Sequence, residues 1–164
     1  MNYYIHNQWV DGDLPISINH PRYRPFRDLL GDIYDRYQRP LFVAETGIEG
    51  DSRSAWLRIT GHEVTAARRA GIPVEGICLY PIFDYPGWED ERHCPTGLFG
   101  YMDDSGNRPL CRALAEELKR QQAHRTGIPG QCRPSPGHVE ADDPATELGQ
   151  HFQSEQRGTS QHTI

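Results

Sequence analysis

Lysine is almost missing from this chain of 164 residues: Lys119 is the single one, and arginine carries nearly all of the positive charge. Basic residues number 17 against 23 acidic ones, a formal charge of −6, so there is no positive field for a sequence-independent grip on nucleic-acid phosphate. Long apolar runs are missing as well. The longest, Gly76 to Phe83, falls far short of the roughly 20 residues a membrane helix requires, and no membrane segment is expected. Met1 to Asn7 show no basic patch followed by an apolar core, so no secretion signal is read there and cytoplasm is the expected compartment. Cysteine is sparse: Cys78, Cys94, Cys111 and Cys132 form no C-x-x-C pair, which argues against a zinc ribbon or redox motif. His62-Glu63 opens like a zinc-protease motif, but Ala66 stands where the second histidine belongs. The cluster Glu89, Asp90, Glu91, His93, Cys94 is explained by a solvated loop. Neither a metal nor a cofactor is expected.

Apolar residues also thin out towards the end. From His124 onward Gly, Pro, Gln, His, Ser and Thr dominate, too little apolar surface to offset the roughly 1–2 kcal/mol per residue lost on ordering a backbone. The expected organisation is a folded region at 1–123 and a disordered tail at 124–164. His138, His151 and His162 in the tail are too irregularly spaced to suggest a metal site.

What the first region does contain is an alternation of element types. Asn2 to Ile5, Leu41 to Ala44 and Gly76 to Phe83 are short apolar runs followed by turn residues, as buried parallel strands are. Between the first two, Phe26, Leu29, Leu30, Ile33, Tyr34 and Tyr37 recur at helical spacing after Pro25, with Arg39 and Pro40 as the stop. A second helix is expected from Asp51 or Ser52, either able to cap its start, through Trp56 and Val64 to Ala70, with Gly61 as a break point. A third follows the Asp103-Asp104-Ser105-Gly106 turn with Leu110, Ala113, Leu114 and Leu118 as its stripe. The order β, α, β, α, β, α suits consecutive units of a β/α barrel or half of a doubly wound sheet. A complete eight-unit barrel takes about 250 residues. The region before the tail supplies fewer than half.

In both parallel architectures chemistry gathers at the carboxyl ends of strands. The second run ends Leu41-Phe42-Val43-Ala44-Glu45-Thr46-Gly47, which places a carboxylate where the apolar run stops. Glu45 is therefore the leading candidate for reactivity; pairing with an arginine or capping the next helix is the alternative. The third run continues Tyr80-Pro81-Ile82-Phe83-Asp84-Tyr85-Pro86-Gly87-Trp88-Glu89-Asp90. Aromatic faces mixed with carboxylates suit a sugar, whose C–H faces stack on rings and whose hydroxyls need acceptors. Tyr80 and Trp88 could equally fill core volume. Asn2 and Tyr4, with Asn7, Gln8 and Trp9 beyond, add a polar and aromatic cluster at the first strand end. Gly47-Ile48-Glu49-Gly50-Asp51-Ser52 lacks the lysine and spacing of a phosphate loop, and its acids would repel an anion.

Taken together, Asn2-Tyr3-Tyr4, Phe42-Val43-Ala44-Glu45-Thr46-Gly47 and Gly76 through Trp88 resemble, in order and spacing, the last three units of a family 1-like retaining β-glycosidase, over Met1 to Gln122. The resemblance implies a partial (β/α)8 TIM barrel of about three C-terminal β/α units and a β-glycoside as ligand. It implies that Glu45 matches the nucleophile, Asn2 and Tyr4 the polar residues around it, Tyr80 an aromatic platform and Trp88 a tryptophan lining the sugar site. Departures accompany the matches. Thr46 stands where the family has Asn, Tyr80 where it has Trp, and Gly87 where it has a sugar-holding glutamate, for which Glu89 is the local substitute. A neighbouring family of the same barrel clan fits these changes equally.

A retaining mechanism also needs a second carboxyl about 5–5.5 Å from the first. The resemblance puts that acid/base on an earlier strand, and none of Glu49, Glu75, Asp84 and Glu89 has the family's Asn-Glu-Pro setting. The expectation is thus a glycoside hydrolase-like protein carrying the nucleophile without its acid/base partner. The alternatives are a noncatalytic carbohydrate-binding or interaction protein, and a half-barrel completed by a partner chain.

Overall fold

A computed structural model of the chain describes residues 1–10, 15–88 and 90–126. The expected tail from 124 lies outside them, except that the last helix continues to Thr126, past the expected boundary at 123.

The first helix, α1 (Phe26–Tyr37), begins after Pro25 as its apolar spacing predicts and buries Phe26 and Leu30. Asp28 in its first turn and Arg36 in its last suit the helix dipole. It stops at Gln38, one residue before the expected Arg39-Pro40 signal. Gln38 takes the left-handed conformation and returns its backbone N–H to the Tyr34 carbonyl at 2.8 Å. Strand β1 (Leu41–Thr46) follows, then a short 3-10 turn, helix α2 (Arg53–Arg69), and strand β2 (Val74–Leu79) parallel to β1.

Three helix expectations are corrected here. Ser52 occupies the cap position of α2, yet its side chain makes no capping bond and its hydroxyl is buried without a partner. Gly61 does not break α2. A methyl group there would overlap the Gln121 side chain, so the glycine is the notch in which the last helix, α3 (Arg112–Thr126), rests. In α3 only part of the expected stripe is buried. Leu114 is fully enclosed, whereas Ala113 is exposed and Leu110 precedes the helix and is exposed.

The first strand-like run is reduced to a single parallel bridge, Asn2 to Glu45. It still lies along β1, with Ala44 N–H donating to the Met1 carbonyl at 2.8 Å and Tyr3 N–H to the Glu45 carbonyl at 2.9 Å. The N-terminal segment, β1 and β2 therefore run side by side and parallel in chain order, with α1 and α2 in the two connections. This is an α/β arrangement of consecutive β/α units.

β2 starts earlier than expected and ends earlier, at Leu79 rather than Phe83. Pro81 has no N–H to continue the ladder, and Ile82, Phe83 and Asp84 pair instead with Phe99: its N–H donates to the Ile82 carbonyl and its carbonyl accepts from Asp84, both at 2.9 Å. A small antiparallel hairpin, β3 (Tyr85–Pro86) and β4 (His93–Cys94), closes this excursion.

The core lies between the sheet and its helices. Tyr3, Ile5, Phe26, Leu30, Val43, Trp56, Ile59, Val64, Ala67 and Val74 form one buried cluster. Tyr3 stacks on Phe26 with ring centroids 3.8 Å apart and lies 5.5 Å from Trp56. Glu63, the middle of the discarded zinc-like motif, accepts from the Arg27 backbone at 3.0 Å and guanidinium at 2.7 Å, tying α2 to the first turn of α1. No helix among the described residues is long and apolar enough to cross a membrane, and no group of three or more ligating side chains among them could hold a metal ion.

Candidate active site

Strand alternation divides the end of β1 between two environments. Thr46 is fully buried and accepts a hydrogen bond from the Trp56 indole N–H at 2.8 Å. Its neighbour Glu45 is half-buried and faces a cleft. The difference from the family's Asn at position 46 therefore falls in the core, not on the cleft. Gly47 comes next because the chain must pass close to β2 there. Tyr80 N–H donates to the Thr46 carbonyl at 2.9 Å, and a methyl group on Gly47 would overlap the Tyr80 carbonyl oxygen.

The N-terminal segment obeys the same alternation. Tyr3 and Ile5 enter the core, while Asn2 and Tyr4 turn to the Glu45 side. Asn2 Nδ2 donates to Glu45 Oε2 at 2.8 Å and Tyr4 OH donates to the same oxygen at 3.0 Å. Among the described residues Oε1 takes no hydrogen bond from the protein. Burial, reinforced by the bond to Glu45 and its charge, pushes the Tyr4 phenol well above the usual tyrosine range, so it remains a proton donor.

The cleft has a volume of about 730 Å³, within the range of small-molecule sites. Tyr4, Glu45, Glu49, Tyr80, Tyr85 and Trp88 contribute its polar and aromatic walls. Tyr80 and Tyr85 face each other at a ring separation of 6.5 Å. Trp88 is 89% exposed and Tyr80 38%, so neither fills the core, and that alternative reading is set aside. Of the residues expected at the site, Glu45, Tyr4, Tyr80 and Trp88 line one cleft, and Asn2 reaches it through Glu45. Glu89 lies outside the described residues.

Tyr85 and Glu49 join the site although the sequence reading gave neither a role in it. For Tyr85 the signal was present in Tyr85-Pro86-Gly87-Trp88, an aromatic on each side of a turn. Glu49 is not a free acid: Arg92 grips both of its oxygens, Nη1 on Oε1 and Nη2 on Oε2, the latter at 3.1 Å. The arginine pairing that was the alternative reading for Glu45 is made by Glu49 instead. At Gly87 a side chain would meet the tip of the Asp90 carboxylate, which would have to swing aside for it.

No family model and no curated protein sequence matches the chain. Solved structures do. The β-glycosidase of the hyperthermophile Thermosphaera aggregans is 26% identical with a TM-score of 0.52, over 74% of this chain and 23% of its own. A β-glucosidase from Exiguobacterium marinum is 19% identical with a TM-score of 0.52, over 61% of this chain and 25% of its own. A β-glycosidase from Pyrococcus horikoshii is 22% identical with a TM-score of 0.50, over 63% and 27%. The chain spans about a quarter of the length of these proteins. Over that quarter it is similar to β-glycosidases, as the motifs at its strand ends indicate.

Proposed function

We propose that the chain is a glycoside hydrolase-like portion of a retaining (β/α)8 β-glycosidase barrel, in which Glu45 is the nucleophile and Asn2, Tyr4, Tyr80 and Trp88 surround the sugar. The observation that carries this reading is the convergence of Asn2 and Tyr4 on one oxygen of Glu45 within an aromatic cleft. Two donors on Oε2 fix the carboxylate and leave Oε1 to attack an anomeric carbon. In that step the Oε1–C1 bond forms, the glycosidic C1–O bond breaks, and the departing oxygen needs a proton. Glu49 is not free to supply it, since both of its oxygens are taken by the Arg92 guanidinium. In this reading the acid is a carboxyl other than Glu45 and Glu49, the two that line the cleft.

A 2-deoxy-2-fluoro β-glucoside with a dinitrophenolate leaving group needs little acid assistance and tests the nucleophile by itself. The expected result is one covalent adduct, located at Glu45 by peptide mass mapping and absent in Glu45→Gln. An adduct at Glu49 or elsewhere overturns the assignment. Calorimetric binding of a β-glucoside with no adduct at all favours a carbohydrate-binding protein without turnover, the reading supported by the same aromatic walls.

A further inference from the structure

Trp88 lines the Glu45 cleft while almost wholly exposed, so core packing does not hold it in place. Its hairpin is equally short of support. β3 and β4 pair through Tyr85 with Cys94 and Pro86 with His93 only, and such a ribbon is marginal by itself. Yet the turn is tightly fastened. Gly87 N–H donates to the Arg92 carbonyl at 2.6 Å, and Arg92 N–H donates to Asp90 Oδ1 at 3.1 Å. The Arg92 guanidinium then crosses to the β1–α2 loop and takes Glu49 in a two-pronged pair, with Asp90 Oδ2 3.6 Å from its Nε.

We propose that Arg92 is a positioning residue: through Glu49 it ties the β3–β4 turn to the loop that follows the nucleophile strand, and so sets Trp88 as an aromatic wall of the Glu45 cleft. The planar guanidinium fork matches the two carboxylate oxygens as a lysine ammonium could not. Glu49 lies in the same loop as Gly47 and lines the cleft itself, so the tie runs directly from the aromatic wall to the neighbourhood of Glu45. The base of the hairpin is held separately. Gly50 N–H donates to the Pro95 carbonyl at 3.0 Å, and Arg53 Nη1 donates to the Gly97 carbonyl at 2.7 Å. Loss of Arg92 therefore frees the tip of the turn and leaves the fold in place.

The proposal rests on the carbohydrate reading of the cleft, and its test separates the two. In a Trp9→Phe background, where the other tryptophan, Trp56, is enclosed in the core, the fast component of the anisotropy decay reports the mobility of the exposed Trp88 without any ligand. Calorimetry with p-nitrophenyl β-glucoside on the full chain, in Glu45→Gln to prevent turnover, reports binding. Arg92→Ala is expected to raise the amplitude of that fast component at least twofold and to weaken glucoside binding about tenfold. Arg92→Lys should recover only part of this. The exchange Glu49→Arg with Arg92→Glu should recover most of it. An unchanged anisotropy decay in Arg92→Ala, or an exchange variant no better than Arg92→Ala, overturns the positioning role. Failure of the parent protein to bind the glucoside, with the anisotropy pattern intact, counts against the sugar reading and leaves the tie standing.

Discussion

Tyr4 and Glu45 meet across two adjacent parallel segments, the phenol donating to Oε2 at 3.0 Å while Asn2 holds the same oxygen. The pairing depends on the Asn2 to Glu45 bridge, which sets the row of side chains that face the cleft. Tyr4→Phe keeps the ring and removes a hydrogen bond to a charged group, worth about 1.5–3 kcal/mol. Labelling of Glu45 by the fluoroglucoside should slow by about tenfold or more, with little change in melting temperature. A labelling rate equal to that of the parent would show that Tyr4 does not orient the carboxylate.

Gly47 is the point at which the cleft and the fold compete for space. In Gly47→Ala the new methyl would meet the Tyr80 carbonyl oxygen, a backbone atom that cannot swing aside. The Thr46 to Tyr80 hydrogen bond should break and the ends of β1 and β2 separate. The cost expected from overpacking is about 1–3 kcal/mol, read as a lower denaturation midpoint. Gly76→Ala is the control. There the methyl would meet the Phe42 ring, which is half exposed and free to turn, so the loss should be smaller. Equal losses at the two positions would contradict this account.

How much of this was legible in the sequence follows from which interactions are local. Helix α1 was readable because Phe26 and Leu30 repeat within the segment, and β1 because its apolar run ends abruptly at Glu45. The third strand is shorter than its apolar run. Ile82 and Phe83 look like core residues by composition, yet they are exposed and pair with Phe99, a long-range partner that no local pattern announces. The same limitation hid the tie between Glu49 and Arg92, 43 positions apart. Gly61 looked like a helix break because a lone glycine usually weakens a helix. Its use as a notch for Gln121 depends on where α3 lies.

Thr46 and Trp56 make a second testable pair. Thr46→Val preserves shape and removes the hydroxyl that accepts from the buried indole N–H, 2.8 Å away. Leaving that donor unpaired should cost about 1–3 kcal/mol. Trp56→Phe, which removes the donor and part of the ring, should be partly compensated when combined with Thr46→Val. Additive losses in the double variant, measured by chemical denaturation, would show that the two residues act independently.

Glu117 links the last helix to the rest of the molecule through charge rather than through apolar contact. Its side chain is 3% exposed and takes Arg120 Nε at 3.0 Å and Nη2 at 2.6 Å, Gln121 Nε2 at 2.6 Å and Arg58 Nε at 3.4 Å. Burial alone would raise the carboxyl, but these donors together hold it below the usual value of 4.5. A folded-state value below the unfolded one stabilises the protein above the unfolded value, and that contribution is lost as pH falls through the lower, folded one. Stability should therefore fall on the acid side of 4.5 in the parent protein. In Glu117→Gln the part of the slope due to this group should vanish, leaving a flatter acid limb. At neutral pH the variant should be less stable by about 1–3 kcal/mol, because two arginines lose their shared carboxylate and one buried oxygen becomes an amide donor facing them. Melting curves of both proteins from about pH 7 to about pH 3 decide the matter. Parallel acid limbs would mean that Glu117 titrates alike in the folded and unfolded chains, and that Gln121 in the Gly61 notch, rather than the carboxylate, holds α3 on α2.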